Sequence, residues 1–260
     1  MSFSVIIPAR YASTRLPGKP LMDIAGKPMI QHVHERAMAS GASAVIIATD
    51  DVRIQQRSLA FGADVEMTRA GHSSGTDRIA EVIMNRGIAD DEIIVNLQGD
   101  EPMMPPQLIH QVAGLLSAKS DCNMATLCQR IETAAELFDP HVVKVVIDHG
   151  GHALYFSRAV IPWDRDAFAV TTETLPDSAV HYRHIGLYAY RAGFVQQYIQ
   201  WPQALLEKME SLEQLRVLAH GERIRVAQAV VSPGHGVDNE QDRQTVELLM
   251  KNQDQSGTFQ

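Results

Sequence analysis

The chain has 260 residues, 45% of them hydrophobic, and a formal net charge of −8. That length supports one large domain with a smaller appendage. The acidic balance argues against nucleic acid as a partner, because phosphate backbones select basic surfaces. No apolar run approaches the roughly 20 residues of a membrane helix. The opening MSFSVIIPAR has neither the basic first region nor the apolar length of a signal peptide, so a cytoplasmic protein without membrane insertion is expected. Cys122 and Cys128 make no CxxC and no zinc spacing, and read as ordinary buried thiols in a reducing compartment.

In chain order, residues 4–8 (SVIIP), 45–49 (VIIAT) and 93–97 (IIVNL) are short apolar runs, the pattern of strands buried on both faces. Helical spacing fills the gaps between them. Met29, Ile30, Val33 and Ala37 share one face, with Pro28 in the first turn, and Ile79, Val82 and Ile83 share another. Leu108, Ile109, Val112, Leu115 and Leu116 form a third face, entered through Pro105-Pro106. Strand alternating with helix predicts an α/β protein with a mostly parallel, doubly wound sheet. The second half is richer in strands, expected at residues 124–131, 144–148, 153–156 and 182–191, with a long loop at 164–179. Helices are expected at 192–198, 212–220 and 241–250. The domain therefore spans residues 1–250, with a strand-rich subdomain near 150–200 that suggests a dimer surface. The polar residues 251–260 are expected to be a disordered tail.

Two segments carry the chemistry. The loop after the first strand, PARYASTRLPGKP, holds Arg10, Arg15 and Lys19 within ten residues and contains no acid. In open α/β sheets ligands bind beyond the carboxyl ends of strands, so this loop either cradles a triphosphate or is a solvated basic loop. It is not a dinucleotide loop, since GxGxxG is absent, and Gly26-Lys27 runs into Pro28 rather than the Ser or Thr of a Walker A loop. The second segment, NLQGDEP at residues 96–102, ends the third strand on a glycine turn that leaves Asp100 at the sheet edge. A carboxylate beside a triphosphate needs a cation between them, and Mg2+ held by one or two carboxylates and phosphates meets that need. A helix cap is the other reading of Asp100, but the next helix starts five residues later.

These segments resemble the signature of the CMP-Kdo synthetases, the 3-deoxy-manno-octulosonate (Kdo) cytidylyltransferases. The likeness extends to HSSGTDR at 72–78, YFSR at 155–158, HIGLY at 184–188, LEQLR at 212–216 and GHGVD at 234–238. The resemblance implies a Rossmann-like nucleotidyltransferase fold, a homodimer, Mg2+ as cofactor, and CTP and an acidic 2-keto sugar as partners. By the same resemblance Ala9, Arg10, Arg15, Lys19, Ser74 and Gly75 would bind CTP. Asp100 and Asp238 would hold the metal, and Lys19 with these two acids would carry catalysis. Gln98, Arg158, His184, Tyr188, Glu213 and Gln214 would bind the sugar, with Arg158 on its carboxylate. SGTDR has Asp77 where Glu is also familiar in the family, a mild departure.

Local structure offers plainer readings for several of these residues. Asp238 stands where an N-cap would, and Ser74 caps equally well. His184 and Tyr188 fit a packed strand face, and Glu213 and Gln214 a solvated helix face. The reaction implied is CTP plus Kdo giving CMP-Kdo and pyrophosphate, for lipopolysaccharide biosynthesis. The alternatives are a cytidylyltransferase for 8-amino-Kdo or sialic acid, or a CTP-binding regulatory module without activity. An enzyme acting on a neutral sugar 1-phosphate would carry a GxGxR loop, which is absent.

Overall fold

A computed structural model describes residues 2–12, 16–116, 121–176 and 180–256. The first strand, β1 (Ser4–Ala9), is buried along its whole length. It pairs in parallel with β4 (Ala44–Thr49) on one side and β6 (Ile93–Asn96) on the other, and β5 (Asp64–Met67) adds to β4. Val5 and Ile7 enter one core, while Ile6 enters the other. This is the consequence of side chains alternating across a strand covered on both faces.

Helices α1 (Met29–Met38), α2 (Val52–Ala60) and α4 (Pro106–Gly114) supply Ile30, Val33, Ile54, Leu108 and Val112 to the first core. Helices α3 (Gly75–Arg86) and α7 (Ala192–Tyr198) cover the opposite face, with Ile79, Val82 and Val195 buried in the second. Between β1 and α1 lie a one-turn 3-10 helix, Lys19–Leu21, and a two-residue hairpin of β2 (Asp23–Ile24) and β3 (Lys27–Pro28).

The sheet runs on through β7 (Met124–Arg130), β10 (Tyr182–Arg191) and β11 (Ile224–Gln228) in the order β11-β7-β10-β6-β1-β4-β5. β10 is antiparallel to both of its neighbours, and the other neighbouring pairs in that order are parallel. Its register slips between Ile185 and Tyr188, a bulge whose importance for the site is given below.

β8 (Lys144–Ile147) and β9 (Ala153–Ser157) hydrogen-bond onto the start of β10. The strand-rich appendage is therefore an extension of the one sheet. Its own small core is Ile131, Leu137 and Phe168, from the start of the 131–133 link, α5 (Ala134–Phe138) and α6 (Arg165–Phe168). The predicted subdomain limit of 200 runs too far, because α7 packs on the main sheet. The predicted loop at 164–179 contains α6, whose cap Asp164 accepts from the Ala167 amide.

Three further elements complete the chain: α8 (Leu205–Glu210), α9 (Gln214–Ala219) and α10 (Glu240–Ser256). The last of these corrects the expected tail over residues 251–256, since helix continues to Ser256, and residues 257–260 lie outside the described residues. Glu247 holds the i,i+4 partners Arg243 and Lys251, pairs that support an exposed helix end. The edge strands β5 and β11, and helix α2, had no clear signal, because their residues are only partly apolar.

Candidate active site

In chain order the strands step outward from β1 to β4 and β5, then cross back to β6. A crevice opens at the carboxyl ends where that order reverses. Three segments converge there: Pro8-Ala9 at the end of β1, Ser74-Gly75 at the start of α3, and Gln98-Gly99-Asp100 after β6. They line a cleft of about 330 Å³. Close approach of backbone makes this possible. A Cβ on Gly99 would sit 3.0 Å from the Pro8 carbonyl oxygen, and one on Gly75 would sit 3.3 Å from Pro8 Cγ.

The described ends of the cationic loop border the same cleft. Gly18 adopts φ +73°, a conformation that L side chains rarely take, and its amide donates to the Tyr11 carbonyl at 3.0 Å. That closure delivers Lys19 into the cleft wall with only 8% of its surface exposed. Arg10 also lines the cleft. Arg15 lies outside the described residues.

Lys19 Nζ donates to Asp100 Oδ2 at 2.8 Å and lies 3.6 Å from Asp238 Oδ1. Two carboxylates far apart in sequence thus face one ammonium. The loop carrying Asp238 is stapled to the Asp100 turn by a main-chain bond, Val237 N–H to Asp100 O, at 2.9 Å. Two glycines allow this contact. A Cβ on Gly236 would approach Glu101 Oε1 to 3.0 Å, and one on Gly234 would overlap the Met103 carbonyl.

The capping alternatives resolve against both acids. Helix α4 is preceded by Pro105 as its N-cap residue. At the start of α10, Asp242 N–H donates to Asn239 Oδ1 while Asp242 Oδ2 accepts from the amides of Asp238 and Asn239. Asn239 is therefore the cap, and the Asp238 carboxylate is turned toward Lys19. Glu101, not anticipated from sequence, stands behind this pair. Burial first, then the charges of Asp100 and Asp238, push its carboxyl up to about 8. Carboxylate oxygens gathered around a positive centre are the donor set that a hard divalent cation accepts.

On the far side of the cleft, Ser74 does cap α3. Its Oγ accepts from Asp77 N–H at 3.1 Å, and Asp77 Oδ2 accepts from Ser74 N–H at 3.1 Å. Two further lining residues, His72 and Arg78, were missed. His72 is paired with Glu81. Arg78 is buried and held by Thr68 Oγ1 and by Asp50 Oδ2, the latter at 3.1 Å. The only sequence signal was their place at either end of the HSSGTDR run.

A second cleft of about 310 Å³ adjoins the first, and Gly75, Gln98 and Glu213 line both. It gathers His184, Tyr188 and Gln214 from the predicted list. The bulge in β10 builds its floor. The Thr126 hydroxyl reaches the Ile185 and Leu187 carbonyls at 3.0 and 2.8 Å, groups that the ladder bypasses there. A hydroxyl has one proton to give, and carbonyls only accept. His184 Nε2 lies 2.9 Å from the same Thr126 oxygen, and with the hydroxyl proton given to a carbonyl this nitrogen is the one that donates. That leaves Nδ1 as an acceptor. Tyr188 packs against the imidazole at a tilt of 44°, with ring centroids 5.2 Å apart.

Burial, aided by the neighbouring Arg183 charge, lowers the His184 pKa from 6.5 to about 3. Between those values the unfolded chain binds a proton that the folded chain refuses, so this contribution is full above pH 6.5 and is lost as pH falls toward 3. Moving from pH 7 to pH 5 should cost the wild type about 2 kcal/mol more stability than it costs His184→Gln, at about 1.4 kcal/mol per unit. Urea denaturation at the two pH values measures the difference.

Gln214 is not part of a solvated helix face, whereas Glu213 is exposed and borders both clefts. Thr76 Oγ1 donates to Glu213 Oε2 at 2.9 Å. Enclosure in the cleft wall, with Asp77 and Glu207 nearby, raises the Glu213 pKa despite that bond and Arg216. Gln214 is 4% exposed, and its amide nitrogen has no hydrogen-bond partner among the described residues. An unsatisfied buried donor in a cleft wall is costly unless something outside the chain completes it.

Arg158 is not brought to either cleft. Its Nε donates to the Glu210 carbonyl at 2.7 Å and its Nη1 to the Pro140 carbonyl at 3.1 Å. Main-chain acceptors thus hold it in the β9 region, away from the place where a bound carboxylate was expected. Among the described residues no helix is long and apolar enough to cross a membrane.

Residues 4–224 match a family model described as cytidylyltransferase. The chain is 57% identical over 249 residues to a 3-deoxy-manno-octulosonate cytidylyltransferase of Idiomarina loihiensis, covering 96% of this chain and 98% of that one. It is 60% identical over 251 residues to the protein of the same name from Serratia proteamaculans, covering 96% and 100%. Among solved structures, CMP:2-keto-3-deoxy-manno-octonic acid synthetase complexed with CTP superposes with a TM-score of 0.88. That match is at 45% identity over 97% of this chain and 99% of the other. A cytidylyltransferase from Leptospira borgpetersenii, at 14% identity, covers 96% of this chain and 87% of its own, and shares the fold with a TM-score of 0.63.

Proposed function

We infer how two adjoining clefts serve the reaction of this chain, which belongs to the 3-deoxy-manno-octulosonate cytidylyltransferase family and joins CMP from CTP to Kdo with release of pyrophosphate. The observation that carries the reading is the shared wall of Gly75, Gln98 and Glu213. A nucleotide in the first cleft and a polyhydroxylated acid in the second would meet across it. The anomeric hydroxyl would attack the α-phosphorus in line, forming one P–O bond as the bond to pyrophosphate breaks.

In phosphoryl and nucleotidyl transfer the protein chiefly positions reactants and stabilises charge. The backbone at Ala9, with Ser74 and Gly75, borders the nucleoside. Arg10 and Lys19 set positive charge against the phosphates and the departing pyrophosphate, and Arg15 belongs to the same loop. Gln98, whose Nε2 is held by Asn96 Oδ1 at 3.1 Å, stands between the two reactants. His184 Nδ1 accepts from a sugar hydroxyl and Gln214 Nε2 donates to one, while Tyr188 and Glu213 close the pocket. Asp100 and Asp238 would hold Mg2+, which when bound supplies positive charge against the phosphates and favours ionisation of the attacking hydroxyl. A cytoplasmic homodimer working toward lipopolysaccharide belongs to the same proposal, supported by the likeness of the motifs.

The test is pyrophosphate release with CTP and a panel of 2-keto sugar acids, with Mg2+ and then with EDTA. Kdo should be preferred and EDTA should abolish turnover. Gln214→Leu should raise the KM for Kdo by about tenfold, the worth of a lost hydrogen bond near 1.4 kcal/mol, and leave the KM for CTP unchanged. Equal shifts in both constants would remove Gln214 from the sugar site.

A further inference from the structure

A third cluster lies where the start of β7, the β8–β9 turn and β11 meet, and it lines neither cleft. Asp121 Oδ1 is 3.5 Å from Cys122 Sγ and 3.3 Å from His152 Nε2, and one ligand atom of each residue lies within 4.8 Å of the others. Zinc bonds of about 2.3 Å to sulfur and about 2.0–2.2 Å to nitrogen or oxygen, set tetrahedrally, give ligand separations of about 3.3–3.6 Å. Both separations fall in that range. We propose that Asp121, Cys122 and His152 form a site for a borderline divalent cation, zinc foremost, with its fourth position open to solvent beside the exposed Asp121.

The local architecture is that of a held ligand. The turn from Asp148 to His152 is closed by main-chain bonds, Asp148 N–H to His152 O at 2.8 Å and Gly151 N–H to Asp148 O at 3.0 Å. Gly151 takes φ +77°, and a Cβ on Gly150 would lie 2.9 Å from His152 Nδ1, so a side chain there would displace the ring. Asp148 Oδ1 accepts from the His152 amide at 2.8 Å and lies 3.4 Å from Nδ1. A carboxylate behind the second ring nitrogen is the arrangement that orients metal-bound histidines. Arg223 Nη1 donates to Asp121 Oδ2 at 2.6 Å, which leaves Oδ1 to face the thiol and the imidazole.

Arg223 Nη2 lies 3.1 Å from His152 Nδ1. Metal binding would move the ring proton from Nε2 to Nδ1, directing it to Asp148 and parting Nδ1 from Arg223, and would release the thiol proton to water. One proton leaves per ion bound. The thiolate and imidazole select zinc-like ions over Mg2+, which prefers oxygen alone. The sequence hid this cluster, because His152 stands thirty residues from Cys122 and only the fold brings it back.

The full chain, stripped with chelator and titrated with Co2+ in excess Mg2+, should gain one sulfur-to-cobalt charge-transfer band that Zn2+ abolishes. The band should vanish in Cys122→Ser, and His152→Ala should weaken Co2+ binding by at least about tenfold. Turnover with Mg2+ should be unchanged in both variants. A wild-type chain without the band, or with a band that persists in Cys122→Ser, would overturn the site. If Cys122→Ser fails to fold, unaltered Co2+ affinity in His152→Ala would do the same.

Discussion

Asp100→Asn should leave a folded protein with turnover reduced by about 10²–10³-fold, the scale seen when one preorganised electrostatic contact to a reacting centre is lost. The amide keeps the shape of the side chain and removes its charge. Three carboxyls crowd one ammonium here, and the Glu101 pKa of about 8 already registers the repulsion from Asp100 and Asp238. Neutralising Asp100 relieves that repulsion, so the melting temperature should hold or rise while activity falls. Pyrophosphate release under saturating CTP and Kdo, measured beside a thermal melt, separates the two effects. Turnover near the wild-type rate would remove Asp100 from the chemistry.

Glu207→Ala should produce the largest loss of stability, about 3–5 kcal/mol. Glu207 and Arg216 are 3% and 8% exposed. They form a forked pair, Arg216 Nε to Oε2 at 2.8 Å and Nη2 to Oε1 at 2.5 Å. Glu207 Oε2 also accepts from the Ala204 amide at 3.1 Å. Removing the acid leaves a buried guanidinium beside Tyr198 with its main anchor gone. The pair joins α8 to α9, and α9 carries Gln214, so the KM for Kdo should rise as well. Replacing both residues with Met should recover most of the stability but not the sugar affinity. Urea denaturation that showed Glu207→Ala within 1 kcal/mol of wild type, by the ordinary scatter of surface changes, would refute the assignment.

Much of this arrangement was legible in the chain. Doubly buried strands announce themselves as unbroken β-branched runs, and β1, β4 and β6 lie where SVIIP, VIIAT and IIVNL stand. The cationic loop and the acidic turn are local features, so Lys19 and Asp100, which meet in the first cleft, could be picked out from neighbours along the chain. What escaped was set by partners distant in sequence. Arg158 looked available for a carboxylate, yet carbonyls of Pro140 and Glu210 claim it. Asp238 looked like a cap until Asn239 and Asp242 took that role. Glu101 gave no sign of burial, and the polar span of α10 past residue 250 hid the ion pairs that carry the helix on. Edge strands β5 and β11, half wetted, lack the hydrophobic contrast that marks central ones.

The main-chain bond from Val237 to Asp100 has a consequence for how the molecule is made. By residue 228 every strand of the large sheet has been synthesised among the described residues, and the nucleotide crevice already has most of its walls. The second carboxylate arrives only with the loop that follows. With the roles proposed for the cleft and for Asp238, a growing polypeptide would acquire a place to hold nucleotide before the means to consume it, and competence for turnover would wait on the docking of one late loop.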